Sequence, residues 1–269
     1  MDSVLAACRA ANKGLIVALT GAGVSAESGI PTFRGKEGYW TIGAREYHPQ
    51  ELATHEAFDA MPWDVWAWYL YRRGVCMAAA PNAGHVALVE MATRHGDRFA
   101  LVTQNVDGLH RRAGSPDATT FPIHGDISLM RCEDECVLDR WPIPDAVPAL
   151  AKGDAVSPEV RALLVCPRCG AMARPHVLWF DESYDEERYH LMTVVELAKR
   201  ASLVVVAGTS GQTNLPWQVV TLARAAGATI VDVNPEDNPF GDMAKRSGGV
   251  IRGPAAAALS AIANALHRG

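Results

Sequence analysis

The sequence predicts an α/β protein whose main element is a doubly wound parallel sheet, interrupted by a smaller domain. Four short apolar runs rich in β-branched residues have the composition of buried parallel strands, and they cover residues 15–19, 99–102, 203–207 and 228–233. Helical patterns lie between these runs, as at residues 83–94 and 218–226. Strands that alternate with helices along a chain form a sheet covered by helices on both faces, which is the fold class expected here.

A polar cluster ends each of the four predicted strands. The clusters lie at residues 20–23, 103–107, 208–210 and 234–236. In open parallel sheets, ligands bind in the crevice at the carboxyl ends of the strands. We therefore expect the four clusters to line one ligand site.

Two segments interrupt this alternation and are expected to form the smaller domain. The first, residues 36–77, is rich in aromatic residues and has a helical pattern from Pro62 onward. The second, residues 126–173, contains four cysteines and a proline-rich stretch at 141–148 that suits neither a helix nor a central strand. The larger domain would then consist of residues 1–35, 78–125 and 174–269, and its last helix would begin near Ala255.

Composition and charge exclude several classes of protein. A chain of 269 residues with 49% hydrophobic residues can bury a full core. Its net charge of −5 is unlike the basic excess of a nucleic-acid-binding protein. No apolar run approaches the roughly 18 residues that span a bilayer, and residues 1–13 lack the pattern of a signal peptide. We expect a cytoplasmic protein with neither nucleic acid nor membrane as a partner; its oligomeric state stays open.

A glycine-rich turn of the type that binds dinucleotides follows the first predicted strand. Gly21, Ala22, Gly23 and Ala26 match the pattern G-x-G-x-x-A, in which glycines let the backbone approach a pyrophosphate at a helix N-terminus. A simple tight turn is the alternative. Dehydrogenases also need a carboxylate about 20 residues further on, at the end of the next strand. Residues 41–49 lack the pattern of a strand, so we predict dinucleotide binding without hydride transfer.

Three further segments extend this pattern. They are ESGIPTFRG at residues 27–35, TQNVDGLH at 103–110 and HG at 124–125. In this order they closely resemble the sirtuins, the NAD-dependent protein deacylases, and the resemblance runs from about Gly14 to the last helix. It implies a Rossmann-like large domain with a smaller zinc-binding and helical domain. It also implies that NAD is a consumed co-substrate, cleaved at its nicotinamide bond while an acyl group moves from a lysine of a protein or peptide to the ribose.

The resemblance assigns roles to polar residues at the strand ends. His124 matches the base that takes a proton from the ribose hydroxyls, a role that suits an imidazole because its pKa lies near neutrality. Asn105 and Asp107 match residues that hold the ribose and the nicotinamide amide, and Gln104 lies beside the ribose. A structural histidine and a strand-end turn are the alternatives. The residues expected to bind NAD are Gly21, Ala22, Gly23, Ala26, Glu27, Thr32, Phe33, Arg34, Gln104, Asn105, Asp107, Gly208, Thr209, Ser210, Asn234, Glu236 and Ala255.

Two pairs of cysteines in the second inserted segment have the spacing of a zinc site. Cys166 and Cys169 form a Cys-x2-Cys knuckle, and Cys132 and Cys136 lie about 30 residues earlier. Four thiolates leave no open coordination position, so the predicted zinc is structural. The first pair is one residue longer than the usual sirtuin spacing. Four thiols without metal, or labile disulfides, are the alternatives.

The aromatic helix in the first inserted segment suggests which acyl group is removed. Tyr69 and Arg72 lie three residues apart and so share a helix face. The Tyr-x-x-Arg pattern resembles the sirtuin class that removes succinyl and malonyl groups, in which the tyrosine and arginine bind the distal carboxylate. Ala53 matches the small residue that widens the acyl pocket of that class, and Leu178 and Phe180 are expected to contact the substrate. An aromatic core stripe with Arg72 at its rim is the alternative.

Two loops depart from the sirtuin pattern. Asp181 replaces a glycine before Glu182, and residues 211–216 differ from the usual Val-x-Pro sequence. In sirtuins these loops clamp the substrate peptide by backbone pairing. The leading hypothesis is a lysine deacylase that favours succinyl or malonyl groups and also accepts acetyl. An ADP-ribosyltransferase or NAD hydrolase on the same fold is the second, and a non-enzymatic nucleotide sensor is the third.

Overall fold

The computed structural model describes residues 1–31, 40–42 and 45–267 of the chain. The predicted NAD-binding residues Thr32, Phe33 and Arg34 lie outside the described residues. Among the described helices, none combines the length and the apolar character needed to cross a membrane.

A parallel sheet forms the centre of the molecule, with the strand order β11-β10-β9-β1-β4-β5. The strands, numbered along the chain, are β1 (Leu15–Thr20), β4 (Phe99–Thr103), β5 (Thr120–Pro122), β9 (Ala201–Ala207), β10 (Thr229–Val233) and β11 (Gly249–Ile251). The chain winds outward from β1 in one direction and from β9 in the other. The strand order therefore reverses between β1 and β9, and such a switch point is where doubly wound sheets bind ligands.

The predicted strands agree with the sheet. All four predicted runs are confirmed as its central strands, with ends that differ by at most two residues. The outer strands β5 and β11 were not predicted, because three residues at a sheet edge are too short to produce a strand pattern. The fold class, an α/β doubly wound parallel sheet of the Rossmann-like type, is confirmed.

Helices cover both faces of this sheet. Alternate side chains of β1 enter two different cores: Ile16 and Ala18 pack on one face, and Val17 and Leu19 pack on the other. The first core is closed by α1 (Asp2–Ala11), α6 (Ala83–His95) and α13 (Ala255–His267). The second is closed by α10 (Leu191–Arg200), α11 (Asn214–Ala225) and α12 (Pro239–Ala244). Because both faces are buried, the central strands consist mainly of apolar residues.

A third core forms around the long aromatic helix α5 (Pro62–Ala78). Trp66 of this helix is fully buried, and its indole N–H donates to the Ala173 carbonyl at 2.9 Å. Its neighbours are α3 (Pro49–Leu52), α4 (His55–Ala60), α8 (Pro158–Leu163) and an antiparallel sheet of β6 (Gly125–Cys132), β7 (Arg140–Pro142) and β8 (Ala173–Val177) in the order β7-β6-β8. The proline-rich stretch supplies the edge strand β7, where a missing N–H is tolerated. The predicted domain boundaries stay a prediction.

Residues 41–49 differ in part from the prediction. Two short antiparallel strands, β2 (Trp40–Ile42) and β3 (Arg45–Tyr47), form a separate two-stranded sheet in this part of the chain. The expectation that this region contains no strand was therefore wrong. Neither strand joins the parallel sheet, however, so among the described residues no strand of that sheet ends about 20 residues after the glycine turn, where a dehydrogenase carries its ribose-binding carboxylate. The remaining short helices are α2 (Gly23–Ala26), α7 (Leu109–Ala113) and α9 (Glu186–Tyr189).

Candidate active site

The glycine turn lies at the switch point of the sheet, directly after β1. The Gly21 amide donates to the Ala207 carbonyl at 3.0 Å, and the Gly23 amide donates to the Gly208 carbonyl at 2.8 Å. A Cβ on Gly21 would lie 2.7 Å from the Thr209 Cβ, and a Cβ on Gly23 would lie 2.7 Å from the Gly208 Cα. The glycines therefore serve first to bring the loops after β1 and β9 into contact. Both of these loops were predicted to bind NAD, and the fold brings them together.

The remaining residues predicted for the cofactor that the structure describes lie at the same edge of the sheet or beside it. Thr209 follows β9, and the buried Asn234 follows β10. The Glu27 carboxylate accepts from the Ala256 amide at 2.8 Å, next to Ala255 at the first turn of α13. A carboxylate at a helix N-terminus is favourable because of the helix dipole. The other predicted residues of this edge are Ala22, Ala26, Ser210 and Glu236, of which Ala26 and Glu236 are exposed.

Asn105 and Asp107 form one hydrogen-bonded network with the glycine turn. The Asn105 amide donates to the Gly21 carbonyl at 3.0 Å and to the Ser25 hydroxyl at 3.1 Å. The Ser25 hydroxyl donates to the Asp107 carboxylate at 2.7 Å, and the Leu109 amide donates to the other carboxylate oxygen at 2.8 Å. Ser25 was not predicted as a site residue. Its sequence position inside the glycine pattern was the only signal that could have found it.

Gln104 connects the ends of β1, β4 and β9. Its amide donates to the Thr209 hydroxyl at 2.9 Å, and its side-chain oxygen accepts from the Thr213 hydroxyl at 3.0 Å. Thr213 belongs to the segment 211–216 that departs from the sirtuin pattern. The altered segment is therefore tied directly to the predicted cofactor site.

The imidazole of His124 is hydrogen-bonded through both ring nitrogens. Nδ1 lies 3.1 Å from the Gln104 carbonyl, and Nε2 lies 2.9 Å from the Tyr184 hydroxyl. Burial lowers the pKa of His124 to about 4, although the Gln104 carbonyl acts in the opposite direction. The ring is therefore neutral at pH 7 and can accept a proton. Tyr184 was missed, because nothing in the sequence separates it from the nearby Tyr189.

The local structure requires a glycine directly after His124. Gly125 has a φ of +87°, and a Cβ at this position would lie 2.2 Å from the His176 carbonyl. Only glycine fits this combination of left-handed backbone and close approach. The His-Gly pair thus fixes the histidine where β6 meets β8. The next residue of the site, Leu178, donates its amide to the His124 carbonyl at 3.0 Å.

The four predicted zinc ligands lie together. The sulfur atoms of Cys132 and Cys169 are 3.6 Å apart, as are those of Cys136 and Cys166, and all four lie within 4.8 Å of one another. Tetrahedral zinc with Zn–S bonds of about 2.3 Å separates its sulfur atoms by about 3.8 Å. The four thiols therefore fit one structural zinc ion.

The backbone conformation of one residue, Glu135, accommodates the longer spacing between Cys132 and Cys136. Glu135 has a φ of +51°, so the chain reverses there in the left-handed region, and Cys136 can still face the other three sulfurs. Its carboxylate accepts from Arg131 at 2.8 Å and from Arg188 at 3.1 Å. These two ion pairs hold the otherwise unfavourable conformation in place.

Tyr69 and Arg72 occupy different environments on α5. Tyr69 is buried, its oxygen accepts from the Trp179 indole at 2.9 Å, and burial raises its pKa. The Arg72 guanidinium lies 5.4 Å from the centre of the Trp68 ring and lines a small cavity with Ile30. The positive charge of Arg72 acts on the Tyr69 phenol and lowers its pKa against the larger effect of burial. The aromatic stripe of the alternative interpretation is present, since Trp66 and Tyr69 are both buried.

The loop after β8 is attached to the predicted acyl pocket. The Phe180 amide donates to the Ala53 carbonyl at 2.9 Å, while the Phe180 side chain is 57% exposed and so is available to a substrate. The Asp181 carboxylate accepts from the amides of His55 and Glu56 at 2.8 and 3.2 Å. The aspartate that replaces glycine therefore caps the first turn of α4.

Fold and site together define a doubly wound α/β protein with a ligand site at its switch point and a four-thiolate module. A model of the Sir2 family matches residues 21–214. The chain belongs to the Sir2 family.

Relatives and solved structures match most of the chain. An NAD-dependent protein deacylase of Leptospira interrogans is 41% identical over 225 residues, which is 84% of this chain and 83% of the relative. One of Pyrococcus furiosus is 37% identical over 258 residues, covering 96% and 95%. The crystal structure of a Sir2 homolog–NAD complex has a TM-score of 0.80 at 33% identity, covering 97% and 93% of the two chains. A Sir2–p53 peptide–NAD+ structure has a TM-score of 0.76 at 25% identity, covering 96% of both.

Proposed function

We propose that this chain is an NAD-dependent protein-lysine deacylase that moves an acyl group from lysine to ADP-ribose and releases nicotinamide. The observation that carries the proposal is the neutral His124, placed at the strand ends next to the network of Asn105, Asp107 and Ser25. The names of the Leptospira and Pyrococcus relatives support it. So does the NAD complex of the similar Sir2 homolog.

The residues divide the chemistry between them. His124 accepts a proton from a ribose hydroxyl at Nε2, which its lowered pKa leaves unprotonated near neutral pH. Asn105 and Asp107 hold the ribose and the nicotinamide amide, because amide and carboxylate groups can bond to hydroxyls and a carboxamide. The loops after β1 and β9 hold the phosphates, with Gly21, Gly208 and their neighbours. The zinc ion shapes the module around β6 and β8 and takes no part in the reaction.

The acyl group favoured by this site is succinyl or malonyl, with acetyl also accepted. The Tyr69 oxygen already accepts from Trp179, so its own O–H can donate to a carboxylate, and the raised pKa keeps that proton in place. Arg72 follows on the next turn and carries the charge that a distal carboxylate requires. Ala53, the small residue matched to the acyl pocket, is buried in the same hydrophobic core as Tyr69. Hydrogen bonds to a charged group contribute about 1.5 to 3 kcal/mol.

The test compares two peptides that differ only in the lysine modification, succinyl or acetyl, incubated with NAD and followed by mass spectrometry. We expect kcat/KM to favour the succinyl peptide by about tenfold or more, in line with about 1.5 to 3 kcal/mol for the carboxylate bonds. The variant Arg72→Met should lose this preference and keep its turnover of the acetyl peptide, which serves as the matched control. Equal turnover of both peptides by the wild-type chain would contradict the acyl preference alone.

Reaction without an acyl peptide would point to the second candidate, an ADP-ribosyltransferase or NAD hydrolase. This second candidate is motivated by the altered segment 211–216, because the hydroxyl of its Thr213 donates a hydrogen bond to Gln104 inside the predicted site. Loss of NAD in the absence of peptide, persisting in His124→Ala, would replace the deacylase proposal by this one. Dependence of nicotinamide release on an acyl-lysine peptide supports the deacylase.

A further inference from the structure

The Tyr184 hydroxyl is the unexpected partner of His124. It lies 2.9 Å from Nε2, and the two rings are 5.9 Å apart with their planes at 33°. Tyr184 belongs to the loop between β8 and α9, which also contains Asp181, the residue that departs from the sirtuin pattern. The contact joins residues 60 positions apart in the chain, so it depends on the fold and not on local geometry.

The direction of each hydrogen bond follows from the chemistry of the partners. A backbone carbonyl only accepts, so the contact with Gln104 requires the proton of a neutral ring to be on Nδ1 of His124. Nε2 then holds the lone pair, and the Tyr184 hydroxyl must be the donor. Burial raises the pKa of the Tyr184 phenol to about 12, so it keeps its proton near neutral pH. The two bonds form one chain from Tyr184 through His124 to Gln104.

This chain of bonds determines when the base is available. An imidazole Nε2 has one lone pair in the ring plane and accepts one hydrogen bond at a time. A ribose hydroxyl that gives its proton to Nε2 must therefore take the position of the Tyr184 hydroxyl.

We infer that Tyr184 is a positioning residue for His124: with the proton on Nδ1 held by the Gln104 carbonyl, the Tyr184 hydroxyl donates to Nε2 and occupies it until a ribose hydroxyl replaces it. The inference rests on the proposed role of His124 as the base.

Removal of the hydroxyl should change the titration of His124 in a defined direction. A donor to Nε2 stabilises the neutral ring, so its loss in Tyr184→Phe makes protonation easier and raises the pKa of His124. The groups that face the ring are the Tyr184 phenol, from the loop after β8, and the Gln104 carbonyl, from the end of β4. No charged side chain of the described residues contributes to the pKa of His124. Tyr189 contacts the Tyr184 ring edge to face and does not reach His124.

The first experiment is 15N NMR of the imidazole rings in the free protein, with His124 assigned from a His124→Gln variant. In the wild-type chain we expect the tautomer with the proton on Nδ1. In Tyr184→Phe we expect a pKa of His124 that is higher by about half a unit or more. Tyr189→Phe is the matched control, because the Tyr189 hydroxyl is buried without a hydrogen-bond partner among the described residues, and it should leave the pKa of His124 unchanged.

The two proposals can fail separately in these measurements. A wild-type tautomer with the proton on Nε2, or an unchanged pKa in Tyr184→Phe, would overturn the role of Tyr184 whether or not the chain transfers acyl groups. The wild-type tautomer is informative even if the variant does not fold. Absence of acyl transfer by the wild-type chain would overturn the proposed function and leave the NMR result standing.

The pH dependence of the reaction tests the replacement step. The acidic limb of kcat/KM reports the free protein, and that of kcat reports the bound complex. If a ribose hydroxyl replaces the tyrosine, Tyr184→Phe should move the limb of kcat/KM to higher pH and leave that of kcat in place. A shift of both limbs would mean that Tyr184 stays on Nε2 in the complex, and a shift of neither would mean that it does not act on His124.

Discussion

Three histidines of the described chain have pKa values lowered by burial to well below that of a free imidazole. The pKa falls to about 3 for His110 and His176 and to about 4 for His124. His176 also faces the charges of Arg131, Arg140, Arg174 and Arg188, which lower its pKa further. These histidines are neutral in the folded protein at pH 5, whereas an unfolded chain protonates them below about 6.5.

Acidification should therefore destabilise the protein through His176. Between its folded pKa of about 3 and the unfolded value of about 6.5, only the unfolded state binds the proton. The stabilisation is complete above pH 6.5 and is lost as the pH falls, by about 1.4 kcal/mol per pH unit and about 2 kcal/mol at pH 5. We expect His176→Phe, which keeps a ring to stack on Tyr189, to reduce the loss of unfolding free energy between pH 7.5 and 5 by about this amount.

Urea unfolding of both proteins at the two pH values measures this term. The value at pH 7.5 is the control, because histidine is neutral in both states there and the difference between the proteins reflects packing alone. An identical loss of stability on acidification in wild type and variant would show that His176 does not carry the effect.

At the scale of the elements, Asp181 joins the loop after β8 to helix α4. The first amides of a helix have no partner inside it, and the Asp181 carboxylate accepts from two of them, those of His55 and Glu56. Thr54 accepts from the Ala57 amide and caps the same turn from within the chain. Comparison with the sirtuin pattern shows only that an aspartate stands in place of a glycine. The structure gives the substitution a physical role, because it fixes this loop against the turn that follows Ala53.

Replacement of Asp181 by the family's glycine should uncouple the loop from α4. Loss of a capping side chain costs about 0.5 to 2 kcal/mol, so Asp181→Gly should lower the unfolding free energy by about 1 kcal/mol. Asp181→Asn keeps an acceptor oxygen and is the matched control, with most of the stability retained. Hydrogen exchange of the His55 and Glu56 amides measures directly how far the first turn of α4 loses its protection. Unchanged protection of these amides in the glycine variant would argue against the cap.

The elements also show what sequence patterns could and could not predict. The four central strands were predictable because both of their faces are buried, which makes them continuous apolar runs. The edge strands β5 and β11 and the hairpin of β2 and β3 were not, because three-residue strands carry no pattern. The four cysteines were predictable from spacing, but the left-handed Glu135 that makes the longer pair work was not.

At the scale of the whole molecule, the site was predicted where its residues belong to strand ends and missed where distant loops meet. Gly21, Asn105 and Gly208 follow strands that the sheet places side by side, so their proximity followed from topology alone. Tyr184 reaches His124 from a loop 60 residues away, and no periodicity indicates that contact. Ser25 became visible only through its bonds to Asn105 and Asp107.

The switch point itself depends on how closely two loops approach each other, and Gly208 permits this approach from the β9 side as Gly21 and Gly23 do from the β1 side. A Cβ on Gly208 would lie 2.5 Å from the Val24 nitrogen and 2.7 Å from the Gly23 carbonyl carbon, and its φ is +62°. Gly208→Ala must therefore push the loop after β9 away from the glycine turn. Because the proposed NAD site is formed by these two loops, we expect its affinity for NAD to fall by about tenfold or more, equivalent to about 1.4 kcal/mol.

Gly227 provides a matched control for this substitution. Its φ is +91°, but a Cβ there would meet nothing within 4 Å, and it lies between α11 and β10, away from the turn. Gly227→Ala should therefore share the backbone strain of an alanine at positive φ, with a similar loss of stability, and keep its affinity for NAD. Calorimetric titration of both variants with NAD separates the two effects. Equal affinity in both variants would show that the contact between the loops after β1 and β9 is not needed to bind the dinucleotide.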